Sequence, residues 1–235
     1  MIRLTTLLVS LLCLFQTVLG QTKFVWQAGK EVCNSHISTI GLDSFFCSEP
    51  ISDKIFERIK NKSFKKNCTT SRNALRYLRV LHFNAEGRPQ MGELICNKAI
   101  ATDLISIFKK LYAAGYRIER MVLIDEYHAD DETSMSANNT ACFNFRKING
   151  SKTLSKHSTG MAIDINPRYN PCVHTKTGLI EPANGKAYAH NRNKQPSASF
   201  CLINHNDLCY KLFKAHGFRW GGDWRTNIDY QHFEK

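Results

Sequence analysis

Between Leu75 and Phe83 apolar side chains crowd the chain, with Leu75, Tyr77, Leu78, Val80, Leu81 and Phe83 in nine positions, a density that predicts a strand. Gly87-Arg88-Pro89 predicts the turn that ends it. A helix is predicted next, from Ala99 to Tyr112, because Ile100, Leu104, Ile107, Phe108 and Leu111 recur at steps of three and four and Gly115 stands where a helix stops. Met121-Val122-Leu123-Ile124 reads as a short buried strand, and the polar run from Asp125 to Asn139 as a surface segment. Met161 to Ile165 is expected as a further strand, the Pro-, Asn- and Gly-rich stretch from Pro167 to Pro196 as an excursion, and Asn206 to His216 as a helix. Strands and helices occur without regular alternation and without an internal repeat, so the expected fold class is α+β.

The N-terminus changes the picture. Arg3 is followed by the apolar run Leu7 to Phe15 and by Val18-Leu19-Gly20, the layout of a secretory signal peptide. Gln16 and Thr17 interrupt the run short of the roughly 20 apolar residues that a membrane span needs. Residues 1–20 are therefore expected to be a signal peptide, 21–70 an irregular N-terminal extension with a basic loop at Lys60 to Lys66, and 71–235 the main domain. A secreted, periplasmic or wall-associated monomer is expected, with no stable membrane insertion. The net charge of +12 favours anionic surfaces such as cell-wall polymers. Nucleic acid is not expected as a partner, since Lys and Arg are dispersed and no nucleic-acid motif occurs.

Of nine cysteines, Cys13 falls in the leader, and an even remainder in an exported chain predicts disulfides of open connectivity. No Cys-x-x-Cys occurs, which excludes a zinc ribbon or a thioredoxin-type motif. Sequons lie at Asn61, Asn67, Asn138 and Asn149.

Two constellations carry candidate chemistry. In Ser155-Lys156-His157-Ser158-Thr159-Gly160-Met161-Ala162-Ile163-Asp164, a turn at Gly160 can fold the His157 imidazole back towards the Asp164 carboxylate. Near the C-terminus, Asp229 precedes His232 by three residues and shares its face if that stretch is a helical turn. Two histidines and one carboxylate leave a tetrahedral zinc ion one open position, as in catalytic sites. Such an ion activates a water and polarises a carbonyl, and a nearby carboxylate can move the proton. Asp130, Asp131 and Glu132 lack the Gly and spacing of an EF-hand. The remaining histidines, His174 among them, read as surface or satisfied residues.

Ser155-x-His157-x-x-Gly160-x-Ala162-x-Asp164 resembles the Ser-x-His-x-x-Gly-x-Ala-x-Asp motif of zinc D-Ala-D-Ala carboxypeptidases of the vancomycin-resistance type and of phage L-Ala-D-Glu endolysins. Asp229-x-x-His232, preceded by Trp220-Gly221-Gly222-Asp223-Trp224, resembles their second motif. The resemblance spans about residues 70–235 and implies a Hedgehog-like DD-peptidase fold, a small, mostly antiparallel sheet packed with helices. It also implies peptidoglycan stem peptides as substrate, Zn2+ as cofactor, His157, Asp164 and His232 as metal ligands, and Asp229 as general base. Many members carry Glu at the base position, and Glu234 and Asp223 are the alternatives to Asp229. Better-known members also carry an upstream arginine in a Ser-Gly-Tyr-Arg stretch, where this chain reads Asp125-Glu126-Tyr127-His128. Arg146 is the nearest candidate to grip a peptide carboxylate, with Ser155 beside the metal and Trp224 as a cleft wall.

The implied function is D-Ala-D-Ala carboxypeptidase, with L-Ala-D-Glu endopeptidase as the alternative. A non-haem iron oxygenase also uses two histidines and a carboxylate, but usually with the acid two residues after the first histidine; here it is seven. An inactive zinc-containing binding protein of the same fold is the remaining alternative.

Overall fold

The computed structural model describes residues 24–192 and 200–235, so the signal-peptide stretch, Cys13 and residues 193–199, which include the end of the excursion, lie outside the described residues. The fold is α+β, with three small antiparallel sheets. The first is built on a long hairpin: β2 (Leu75–Phe83) pairs with β3 (Pro89–Asn97) from Leu75↔Asn97 to Phe83↔Pro89. Its turn is tied by Asn84, whose Oδ1 accepts from the Glu86 and Arg88 amides at 3.1 and 2.9 Å. β3 passes directly into α3 (Lys98–Ala113), where Asn97 caps the helix through the Ala99 amide at 3.0 Å. α3 buries Ile100, Ala101, Leu104, Ile107, Phe108 and Leu111, the predicted stripe with Ala101 added, and Gly115 at φ +69° closes it.

The strand β3 escapes the sequence pattern because six consecutive positions, Met91 to Cys96, are buried, so no alternation marks it. It even buries a charge. Glu93 accepts from the Tyr77 hydroxyl at 2.6 Å and from the Arg58 guanidinium at 2.8 and 2.5 Å. Met121 to Ile124 fails in the opposite sense. Met121, Leu123 and Ile124 are buried, but no strand forms there, and the Asn139 side chain bonds both Val122 N and O at 2.9 and 3.0 Å in place of a neighbouring strand. The expected surface segment after it is also partly interior. Asp125, Ser134, Asn138 and Asn139 are buried, Asp130 caps α4 (Asp131–Ser136), and the Asn138 sequon amide is committed to Glu119 at 2.9 Å.

Residues 24–70 contribute to the same core. α1 (Asn34–Ile40) precedes β1 (Cys47–Pro50), which pairs with β2, and α2 (Asp53–Ile59) carries Arg58 to Glu93. Phe45, Phe46, Ile51 and Ile59 lie in the two principal apolar clusters. No S–S bond joins the described cysteines, contrary to the expected disulfides, and Cys96, Cys142 and Cys209 sit among apolar core side chains. No helix among the described residues is long and apolar enough to cross a membrane.

The two remaining sheets frame the site. One has the order β4 (Ala162–Asp164), β9 (His232–Glu234), β7 (Arg219–Trp220); the other has β6 (Ile180–Glu181), β5 (Cys172–His174), β8 (Asn227–Asp229). Two short helices lie between, α5 (Lys186–Ala189) and α6 (Leu208–Ala215), the latter within the predicted Asn206 to His216 and capped by Asp207 through the Cys209 amide at 2.9 Å.

Arg58→Ala strands the buried Glu93 carboxylate. Because Arg58 is about one-third exposed, the expected cost is about 2–3 kcal/mol, below that of breaking a fully buried pair. Urea unfolding should show the midpoint falling with no change in slope, and an unaltered midpoint would refute the anchoring role.

Candidate metal centre

His157 sits in a 3-10 turn, Lys156–Thr159, started by Ser155, whose hydroxyl accepts from the His157 amide at 3.2 Å. Gly160 ends the turn at φ +68°, and a Cβ there would meet Asn97 N at 2.7 Å, so glycine is required both for conformation and for space. The chain then enters β4, and Asp164 pairs directly with His232 across β4 and β9. The folding back expected at Gly160 thus occurs, and the cross-strand pairing adds the third group.

Three donor atoms converge. His157 Nε2 lies 3.2 Å from His232 Nδ1 and 3.2 Å from Asp164 Oδ2, while His232 Nδ1 lies 3.0 Å from Asp164 Oδ1. Ligands of one tetrahedral zinc ion, at bonds of about 2.0–2.1 Å, stand about 3.3 Å apart, so the spacing fits an ion with little rearrangement. The outer ring nitrogens agree. His157 Nδ1 lies 2.6 Å from the Cys142 carbonyl and His232 Nε2 lies 3.2 Å from Glu234 Oε2, partners that can only accept. Each imidazole therefore keeps a proton on the outer nitrogen, so the inner nitrogen is the one left for a metal ion, the arrangement of metal-bound histidines.

The electrostatics follow from the same geometry. Burial alone would raise the Asp164 carboxyl, but His157 and His232 hold it far below the usual carboxylate range. Burial alone would lower His232, but its bonds to Asp164 and Glu234 raise it to about 10. Without a cation, a proton on His232 Nδ1 takes the bridging role.

Asp229 and His232 do not share a helical turn. Asp229 ends β8 in one sheet, His232 begins β9 in another, and Tyr230-Gln231 carries the chain across. The crossing still leaves Asp229 in electrostatic contact with the three donors. Burial pushes its carboxyl up to about 6, with His232 opposing and Asp164 adding to the shift, and its Oδ1 is buried without a hydrogen-bond partner. Glu234 stands behind His232 and is also held by Arg219 Nη2 at 2.6 Å, and Asp223 pairs with the exposed His205 at 2.8 Å, so neither alternative acid is placed on the inner side of the donor set.

Arg146 is paired with Asp131, which occupies the guanidinium expected to grip a substrate carboxylate. Ser155 caps the turn and holds His157 in place. Trp224 is exposed, its ring centroid 5.2 Å from that of His232. The sequence reading missed the supports, Glu234 and the Cys142 carbonyl; only the His-x-Glu spacing at 232–234, which puts both side chains on one face of a strand, signalled Glu234. It also missed a second cluster. Among the described residues, ligand atoms of His157, Asp164 and His232 lie within 4.8 Å of one another, and so do those of Cys172, His174 and Glu181.

Two buried imidazoles and a carboxylate converging on one point, with a further buried acid in electrostatic contact, make the kind of donor set found in metal-dependent hydrolases. Residues 149–235 match the family model described as D-alanyl-D-alanine carboxypeptidase, a family of zinc peptidases, and both motifs lie inside the matched segment. No curated protein and no solved structure matches the chain.

Zinc binding to His157, Asp164 and His232 at pH 7.5 should release about one proton, because the ion replaces the proton on His232; calorimetry of Cys172→Ser, in which no thiol contributes, in buffers of different ionisation heat measures it, and zero release would refute the bridging proton. Glu234→Gln should weaken zinc binding about 10–100-fold by loosening the His232 ring, measured by competition with a chromogenic chelator; unchanged affinity would deny Glu234 its role.

Proposed function

We propose that this protein is a zinc metallopeptidase that cleaves peptidoglycan stem peptides, acting as a D-Ala-D-Ala carboxypeptidase outside the cytoplasm. The observation that carries the reading is the convergence of three inward-facing donor atoms beside the partnerless, buried Asp229 oxygen. The family match over residues 149–235 implies a zinc peptidase of this type, and export is part of the proposal because the sequence of residues 1–20 has the layout expected of a signal peptide. A Hedgehog-like arrangement of the small sheets belongs to the same reading.

His157, Asp164 and His232 would hold the zinc, which supplies Lewis-acid activation of a water and of the scissile carbonyl. Asp229 takes the proton from the attacking water on a carboxylate oxygen and delivers it to the leaving amine. Its burial favours the protonated form, which suits proton uptake, and the neighbouring His232 opposes that shift, which suits release. Glu234 and the Cys142 carbonyl keep the two rings from turning. Trp224 forms one wall of the substrate cleft, excluding water from the peptide. The pairing of Arg146 with Asp131 favours one second reading: with that guanidinium engaged, a chain terminus loses its expected grip, and L-Ala-D-Glu endopeptidase activity becomes the alternative.

Mass spectrometry of purified muropeptides incubated with the mature protein is expected to show loss of a terminal D-Ala that stops with chelator and returns with zinc. An internal cut would establish the endopeptidase, and absence of any cut with zinc bound would overturn the peptidase reading in favour of a binding protein. Asp229→Asn should lower kcat by about 10²–10⁴-fold with zinc content unchanged; full activity in this variant would remove Asp229 as the base. In the intact enzyme kcat/KM should fall as pH drops through about 6 or lower, because a bound divalent ion moves the carboxyl down from its metal-free value.

A further inference from the structure

The small sheet that carries Asp229 presents a second set of metal-binding side chains. Cys172 and His174 alternate on β5 and so share one face. Glu181 of β6 pairs with Cys172 on one side and Asp229 of β8 pairs with it on the other, which makes a cross-strand row of Glu181, Cys172 and Asp229 with His174 on the diagonal. We propose that Cys172, His174 and Glu181 form a second zinc site, next to but distinct from the one made by His157, Asp164 and His232.

The donor set and spacing carry this inference. The three ligand atoms lie within 4.8 Å of one another, and Cys172 Sγ is 3.8 Å from His174 Nε2. Thiolate and imidazole on one tetrahedral zinc, at about 2.3 and 2.0–2.1 Å, stand about 3.6 Å apart. His174 Nε2 and Glu181 Oε2 are closer than two such ligands, at 2.5 Å, and form a short hydrogen bond that an incoming cation opens by about 0.8 Å. Their side chains are 22% and 26% exposed, so the pair can part and leave a coordination position towards solvent. Asn149 Nδ2 supports Glu181 from outside through Oε1 at 3.3 Å.

A hydrogen bond alone accounts for His174 and Glu181, but not for a thiol beside them. Sulfur, nitrogen and oxygen donors together are the set that borderline-soft zinc prefers to calcium or magnesium. Cys172 is buried, and burial with the neighbouring Asp229 and Glu181 charges keeps its thiol protonated while no cation is bound. Zinc binding therefore drives the thiol proton into solvent, and the S–H bond is exchanged for an S–Zn bond with no change in oxidation state.

Cobalt(II) substitution of the full mature protein, with metal counted by mass spectrometry of the native form, tests this. About two ions per chain are expected, with an intense near-ultraviolet thiolate-to-cobalt charge-transfer band. The band should persist in His157→Ala/His232→Ala, at about one ion per chain, and vanish in Cys172→Ser and in the more exposed His174→Ala, also at about one ion, with circular dichroism confirming folding. One ion per chain without the band in the wild type, or a band that survives Cys172→Ser, would overturn the second site. Because the double-histidine variant reads the second site alone, failure of the peptidase reading and failure of this proposal give different results.

Discussion

Three lone pairs aimed at one buried point repel one another unless a positive charge stands between them, and the architecture around His157, Asp164 and His232 is organised to hold that repulsion in place. The outer ring nitrogens are committed to acceptors, the turn before Gly160 is pinned by Ser155, and β4 and β9 hold the carboxylate opposite the second histidine. A site in which such groups were free to rotate would relax by turning the rings over. Here the cost of turning is the loss of a buried hydrogen bond at each ring, and that cost keeps the donors facing inward.

The acid is arranged differently from its neighbours. Asp229 reaches the centre from a separate sheet, across the Tyr230-Gln231 crossing. The donor set and Asp229 therefore belong to two frames joined by two residues: one sheet fixes the donors, and the other leaves Asp229 Oδ1 buried and unsatisfied. An unsatisfied carboxylate oxygen away from water is costly, and it persists where the surrounding strands determine its position.

Much of this was legible in the residues, for uneven reasons. The α3 stripe and the β2 run are periodic or dense enough to be read directly, and the His157 to Asp164 motif brings its two donors together because Gly160 dictates a turn. β3 was hidden because it is buried on both faces, with Glu93 satisfied by partners distant in sequence. Met121 to Ile124 looks like a strand because it is buried, yet its polar backbone is satisfied by Asn139, a side chain that no local pattern reveals. The three-residue spacing of Asp229 and His232 suggested a helical turn, whereas a change of sheet produces the same proximity. Arg146 was chosen by position, and only its Asp131 partner shows that it is occupied.

The way the two halves of the chain meet has a consequence for relatedness. Residues before 149 touch the elements of the candidate site through main chain and side chain alike: the Cys142 carbonyl braces His157, Asn144 N bonds His157 O, Ala141 exchanges both backbone bonds with Asp164, and Asn97 N bonds Gly160 O, while the Thr70 hydroxyl and the Asn97 amide bond the Ser158 and Thr159 carbonyls. The part of the joint written in peptide groups places few demands on side-chain identity. A substitution at Ala141, Cys142 or Asn144 that keeps the local backbone path keeps these peptide-group bonds. The family match over residues 149–235 takes in His157, Asp164, Asp229 and His232, while the Cys142 carbonyl that braces His157 lies outside it.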